Sequence, residues 1–114
     1  MNQPVVPPAP VRTFRSDGDR ADHYKKHRAE FNPPLADAED YGRKADTFLS
    51  GPRGQYTLEH TRQDGAVLRY NPLTDEFGII GPDGHIRTYF RPTRGLRPAE
   101  SAQYFQKKCA EGGP

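Results

Sequence analysis

A single cysteine, Cys109, is the only thiol in this chain, and that excludes an internal disulfide. With no second cysteine, no CxxC and no compact Cys/His spacing, a structural zinc site is not expected either. No apolar run approaches the roughly 20 residues that a membrane-spanning helix needs. The first residues lack the basic-then-apolar layout of a signal peptide, so export is expected to depend on something outside this segment. Apolar residues are scarce, 32% of 114, set against 28% charged residues, 12 prolines and 11 glycines. Such a composition predicts one small core with many turns, not two domains. Several catalytic signatures are missing too: no two-metal carboxylate cluster, no Ser-His-Asp spacing and no phosphate-cradling glycine loop. The carboxylates fall instead at helix starts and in turns, where capping accounts for them.

Charge is present but unevenly placed. The formal net charge is only +2, yet residues 84 to 110 carry Arg87, Arg91, Arg94, Arg97, Lys107 and Lys108 against one acid, Glu100. A local cationic excess suits a polyanion, because bound lysines and arginines release the counterions condensed on phosphates. A solvated face is the plainer account of the same charges.

The chain divides readily. Residues 1 to 18 read as a proline-rich linker or tail, since Asn2 to Val11 hold four prolines and no charge. Residues 19 to 110 read as one folded domain, and 111 to 114 as a loose tail released by Gly112-Gly113. A helix is predicted from Asp19 to Phe31, with Ala21, Tyr24 and Phe31 on one stripe, Asp17 or Asp19 as cap, and Pro33-Pro34 as stop. A second runs from about Asp37 to Leu49, with Ala38, Tyr41, Ala45, Phe48 and Leu49 recurring at three and four. Beyond Gly54 the period shortens to two, and four strands follow, near 56–62, 66–70, 76–80 and 85–91. Gln63-Asp-Gly65, Asn71 to Asp75 and Pro82-Asp-Gly84 supply the turns. A last helix spans about Ala99 to Ala110. The expected architecture is α+β: an N-terminal helical hairpin packed on a four-stranded antiparallel meander, with a short C-terminal helix at the sheet edges.

Within the first helix His27 follows Tyr24 by three and precedes Phe31 by four, so it shares the stripe aimed inward. A hydrogen-bonded core histidine fits that position, and so does a catalytic one. Lys25, Lys26 and Arg28 flank it and no acid lies within two positions, which favours the neutral ring a general base needs. His23 lies one turn earlier, the spacing of a zinc-binding pair. The neighbouring lysines repel a divalent cation and no glutamate stands where the metalloprotease helix motif requires one, so no metal and no cofactor are expected. On the last strand, alternation would put Ile86, Thr88 and Phe90 on the face toward the helices, and Arg87, Tyr89 and Arg91 on the other.

Taken in order, His23-Tyr-Lys-Lys-His27-Arg-Ala-Glu-Phe31, Tyr70-Asn-Pro-Leu-Thr74, Pro82-Asp-Gly84 and Ile86-Arg-Thr-Tyr-Phe90 resemble the colicin D-like ribonuclease domains that tip bacterial polymorphic toxins. Those domains belong to the barnase, EndoU, colicin and RelE group. The resemblance covers about residues 22 to 92. It implies that Lys26 and His27 form the lysine-histidine pair, with the histidine moving the proton and the lysine facing phosphate. It further implies that Thr88 contacts the scissile phosphate, Phe90 stacks on or orients the substrate, and Arg91 is the basic residue that follows. Two positions depart from the pattern. Asn32 stands where the family has glycine after the phenylalanine, and Tyr24 replaces a lysine, leaving Lys25 or His23 to take its place.

The implied activity is a metal-independent endoribonuclease. A base removes the 2′-hydroxyl proton, that oxygen attacks the adjacent phosphorus, and cations stabilise the dianionic transition state. Lys26, Arg69 or Arg91 would form the electrostatic clamp, Thr88 would donate to a non-bridging oxygen, and His23, Lys25 and Phe90 would contact substrate. RNA, transfer RNA above all, is the expected substrate, and an acidic immunity protein the expected partner. The domain is expected to act as a monomer, reaching the cytoplasm of target bacteria as part of a larger toxin. The alternative is a non-catalytic nucleic-acid- or protein-binding module of a phage or secretion system.

Overall fold

A computed structural model describes residues 11–31, 33–92 and 98–110. Arg94 and Arg97 of the cationic stretch, most of the proline-rich segment and the 111–114 tail lie outside them.

The first helix, α1, spans Asp17–His27. Its N-cap is Ser16, whose hydroxyl accepts the Asp19 N–H at 3.0 Å. The expected caps Asp17 and Asp19 stand one and three positions inside, in the first turn, where their charge meets the positive end of the helix dipole. A 3₁₀ turn, Arg28–Glu30, follows. The second helix, α2, spans Ala38–Ser50 and is capped by Asp37, which accepts the Asp40 N–H at 2.7 Å. Four strands come next, β1 (Leu58–Thr61), β2 (Val67–Asn71), β3 (Glu76–Ile80) and β4 (Ile86–Phe90), then α3 (Pro98–Ala110). They pair as an antiparallel meander in the order β1-β2-β3-β4, an α+β fold. Gly84, at φ 86°, occupies the left-handed region in the turn before β4.

Each face of the sheet buries its own core. On the α1 and α2 side lie Phe14, Phe31, Leu35, Tyr41, Ala45, Leu49, Ile80, Ile86 and Tyr89. Gly78 of β3 admits α2 closely here, because a Cβ at that position would sit 2.9 Å from the Leu49 methyl carbons. On the opposite face Ala66, Leu68, Tyr70, Phe77, Ile79 and Phe105 pack together with Phe90, Tyr104 and Cys109. The C-terminal helix therefore covers the second face of the sheet instead of closing its edges. Arg62 ties it there by donating to the Lys108 carbonyl from two guanidinium nitrogens.

Two further expectations change. The tail expected through residue 18 is already part of the fold at Arg12. The Arg12 N–H donates to Asp46 at 2.7 Å, the Ile86 N–H to the Thr13 carbonyl at 2.8 Å, and Phe14 is buried. The faces of β4 also differ from simple alternation. Ile79 pairs with Thr88 but Ile80 pairs with Ile86, leaving Arg87 as the extra residue of a β-bulge. Ile86 and Tyr89 thus face α1 and α2, while Thr88 and Phe90 belong to the α3 side.

Candidate functional site

The site forms where α1 ends against the far end of β4. The 3₁₀ turn after His27 folds the chain back, so the Glu30 carboxylate meets the imidazole of His27, Oε2 to Nδ1 at 2.7 Å. Both side chains are enclosed, at 8% and 7% exposure. A carboxylate only accepts, so His27 Nδ1 carries the hydrogen and Nε2 is the nitrogen left to take a proton. The other Glu30 oxygen, Oε1, accepts the Arg91 N–H at 3.0 Å, and the Glu30 carbonyl accepts Arg91 Nη1 at 2.9 Å. Arg91 Nε donates to the Thr74 carbonyl at 3.1 Å. The Glu30 carboxylate thus joins the end of α1 to Arg91, 61 positions on, and Arg91 in turn reaches Thr74.

Rings hold the imidazole from both sides. Phe90 stacks on His27 with centroids 4.9 Å apart and planes 16° off parallel. His23 lies on the other side at 6.0 Å, and Phe14 follows at 5.3 Å from His23. This column keeps His27 from rotating and excludes water from its faces. His23 Nε2 lies 3.6 Å from Asp19 Oδ1, while its Nδ1 is buried without a hydrogen-bond partner. Burial is the main cause that holds the His23 pKa below its usual value; His27 and Lys26 push the same way, against Asp19 and Asp22.

Two clefts border residues next to the pair, though His27 and Glu30 themselves line neither. One, about 720 Å³, opens at His23 and is lined by Arg15, Asp83, His85 and Arg87 as well. The other, about 580 Å³, includes Phe31, Pro34, Lys44, Thr74, Glu76 and Arg91. Among the described residues, no group of three or more His, Cys, Asp or Glu is placed to hold a metal ion, and no helix is long and apolar enough to cross a membrane.

The structure brings His23, His27, Phe90 and Arg91 together. Thr88 is half-buried two residues from Phe90 on the same face of β4, and Lys25 and Lys26 are exposed at the end of α1. Arg69 is elsewhere. Its Nε donates to Glu59 at 2.7 Å, and its Nη1 donates to the carbonyls of Phe48 and Gly51 at 3.2 and 2.6 Å, pinning the end of α2 to β2. A guanidinium so engaged is a structural tie, not a phosphate clamp. The reading of His27 as unpaired is corrected as well, because Glu30 sits three positions on rather than within two. The missed signal was the His27/Glu30 spacing itself, since residues three apart meet on a helical turn. Compared with models of protein families and with characterised proteins, the chain matches none.

Proposed function

We propose that this domain is a metal-independent endoribonuclease that cuts RNA by attack of the 2′-hydroxyl. The observation that supports it best is the His27–Glu30 pair: a carboxylate-oriented imidazole with Nε2 left to accept, clamped between rings. That is the arrangement a general base requires, with geometry and tautomer held before substrate arrives. His27 Nε2 takes the 2′-hydroxyl proton, the oxygen attacks the neighbouring phosphorus, and a 2′,3′-cyclic phosphate and a 5′-hydroxyl end result. DNA, without that hydroxyl, is not cut. Lys26 faces the phosphate, Thr88 donates to a non-bridging oxygen, Phe90 orients the base ring and Lys25 guides the strand. Arg91 contributes positive charge while it positions Glu30.

The proposal extends to a biological role as a toxin tip with transfer RNA as target. It would be carried into bacteria by a larger protein, act as a monomer there, and be restrained in the producing cell by an acidic immunity protein. The exposed cations Lys25, Lys26 and Arg28 near the site give such a partner an electrostatic handle.

Burial of His27 to 6% is the observation that favours the rival reading, a binding module in which the imidazole is a satisfied core group. Incubating purified protein with total transfer RNA in EDTA separates the two. Discrete fragments ending in cyclic phosphate support the ribonuclease. Intact RNA under conditions where the protein binds it supports the module.

A further inference from the structure

The inner stripe of α1 carries two imidazoles, and each has its own carboxylate. His27 has Glu30 at 2.7 Å, and His23 has Asp19 at 3.6 Å. The rings are stacked at 6.0 Å with planes 27° apart. Because His23 Nδ1 is buried, Nε2 is the nitrogen through which this ring can exchange a proton. The ring also forms part of the wall of the 720 Å³ cleft, on which no role has yet been placed. Of the charges in that wall, Asp83 is taken by Arg15 at 3.6 Å and by the His85 N–H at 3.0 Å, and Asp19 stands beside His23. Arg87, exposed on the β-bulge, forms no ion pair among the described residues. A bulge re-aims a side chain, and here it leaves a guanidinium in the wall of the cleft.

We propose that His23 is the second proton-transfer group of the site, and that the cleft beside it receives the nucleotide departing with the 5′-oxygen, with Arg87 on its phosphate. The proposal rests on the reading of His27 as the base. In the step, His27 Nε2 takes the proton from the 2′-hydroxyl and the freed electron pair forms the O2′–P bond. The P–O5′ bond breaks with its pair on O5′, which takes the proton from His23 Nε2. Nothing is oxidised or reduced. His27 ends protonated and His23 neutral, and exchange with water restores both. Attacking and leaving oxygens lie on opposite sides of one phosphorus. Two nitrogens within about 2.6–3.2 Å of those oxygens are therefore a few ångströms apart, the scale of the ring stack. Desolvation of His23, against the pull of Asp19, makes its protonated form a readier donor.

The test uses an RNA oligonucleotide carrying a cut site mapped with the wild-type protein, in its natural form and with sulfur in place of the bridging 5′-oxygen. A thiolate leaves without a proton. His23→Gln should cut the natural oligonucleotide about 10²–10⁴-fold more slowly than wild type, and the sulfur one within about threefold of it. His27→Gln should be slow on both. The ratio of the two substrates on one preparation cancels any loss of folded protein, and His23→Asn provides a second comparison. Arg87→Ala should raise KM about fivefold or more with kcat held. Equal losses on both oligonucleotides, or undiminished cutting of the natural one by His23→Gln, overturn the role of His23 while the ribonuclease stands. An unchanged KM in Arg87→Ala overturns the assignment of the cleft. A wild-type protein that cuts no RNA overturns the ribonuclease reading, and this proposal with it.

Discussion

Glu30 holds Arg91 twice, its carbonyl accepting Nη1 at 2.9 Å and its carboxylate accepting the backbone N–H at 3.0 Å, while the remaining carboxylate oxygen reaches His27. The end of β4 and the end of α1 are thereby locked to one side chain. Disturbing any of the three should be felt by the others, because a buried network with one member removed leaves charged or polar groups unpaired.

Glu30→Gln should act as a positioning defect. One of the two accepting oxygens becomes an NH2 that only donates, so His27 Nδ1–H and the Arg91 N–H, which now bond different oxygens, no longer each keep an acceptor. The expected result is a fall in kcat of about 10–1000-fold with KM little changed, together with a loss of about 1–3 kcal/mol in stability. Steady-state kinetics on RNA and a urea melt measure the two effects. A melt that shifts while kcat holds would reduce Glu30 to a structural role.

His27→Gln should lower cleavage on the order of 100-fold or more while the protein still folds, since removing a general base typically costs that much. Circular dichroism and a fragment assay on the same sample suffice. Folded variant cutting at more than about a tenth of the wild-type rate would count against His27 as the base.

Thr88→Val separates a phosphate ligand from a packing residue. With its hydroxyl serving substrate, the rate should fall about 10–1000-fold while the thermal midpoint stays near wild type. A hydroxyl that matters only to packing gives the reverse: about 1 kcal/mol of lost stability and unchanged turnover by the folded fraction.

For Arg69→Met the expectation is loss of stability without loss of chemistry. Removing the guanidinium frees the carbonyls of Phe48 and Gly51 and the carboxylate of Glu59, at a cost of about 1–3 kcal/mol. Activity per folded molecule should be unchanged, in contrast to what a phosphate-binding arginine would show.

Gly78→Ala should destabilise the domain by about 1–3 kcal/mol, since the new methyl would stand 2.9 Å from Leu49 and force α2 away from β3. Leu49→Ala in the same chain should recover part of that loss, and a double-mutant cycle in urea reads the coupling directly.

The elements were legible because their signals are local. The acids Asp17 and Asp19 marked the start of α1 although Ser16 is its cap, Asp37 starts α2 within three residues, the apolar spacing of α2 repeats over four, and the turns at Gly65 and Gly84 depend on two or three residues each. His27 and Phe90 were legible as site candidates for a different reason, their order within a set of short motifs. Arg69 misled because an arginine on a strand has the same letters whether it faces phosphate or a helix end. Glu30 escaped because its partner was sought only among immediate neighbours.

By itself the sequence determined the list and order of elements, the four-stranded meander and the inward stripe that carries His23 and His27. Tertiary structure alone decided that Phe14 completes the core, that the Arg87 bulge turns Thr88 and Phe90 away from Ile86, and that Glu30 joins His27 to Arg91. The physical reason is range. Caps, periodicity and turns act within a few residues, whereas the Glu30–Arg91 contact spans 61 positions and the Arg12–Asp46 contact spans 34. A bulge is likewise a property of two strands in register, visible only when both are in place.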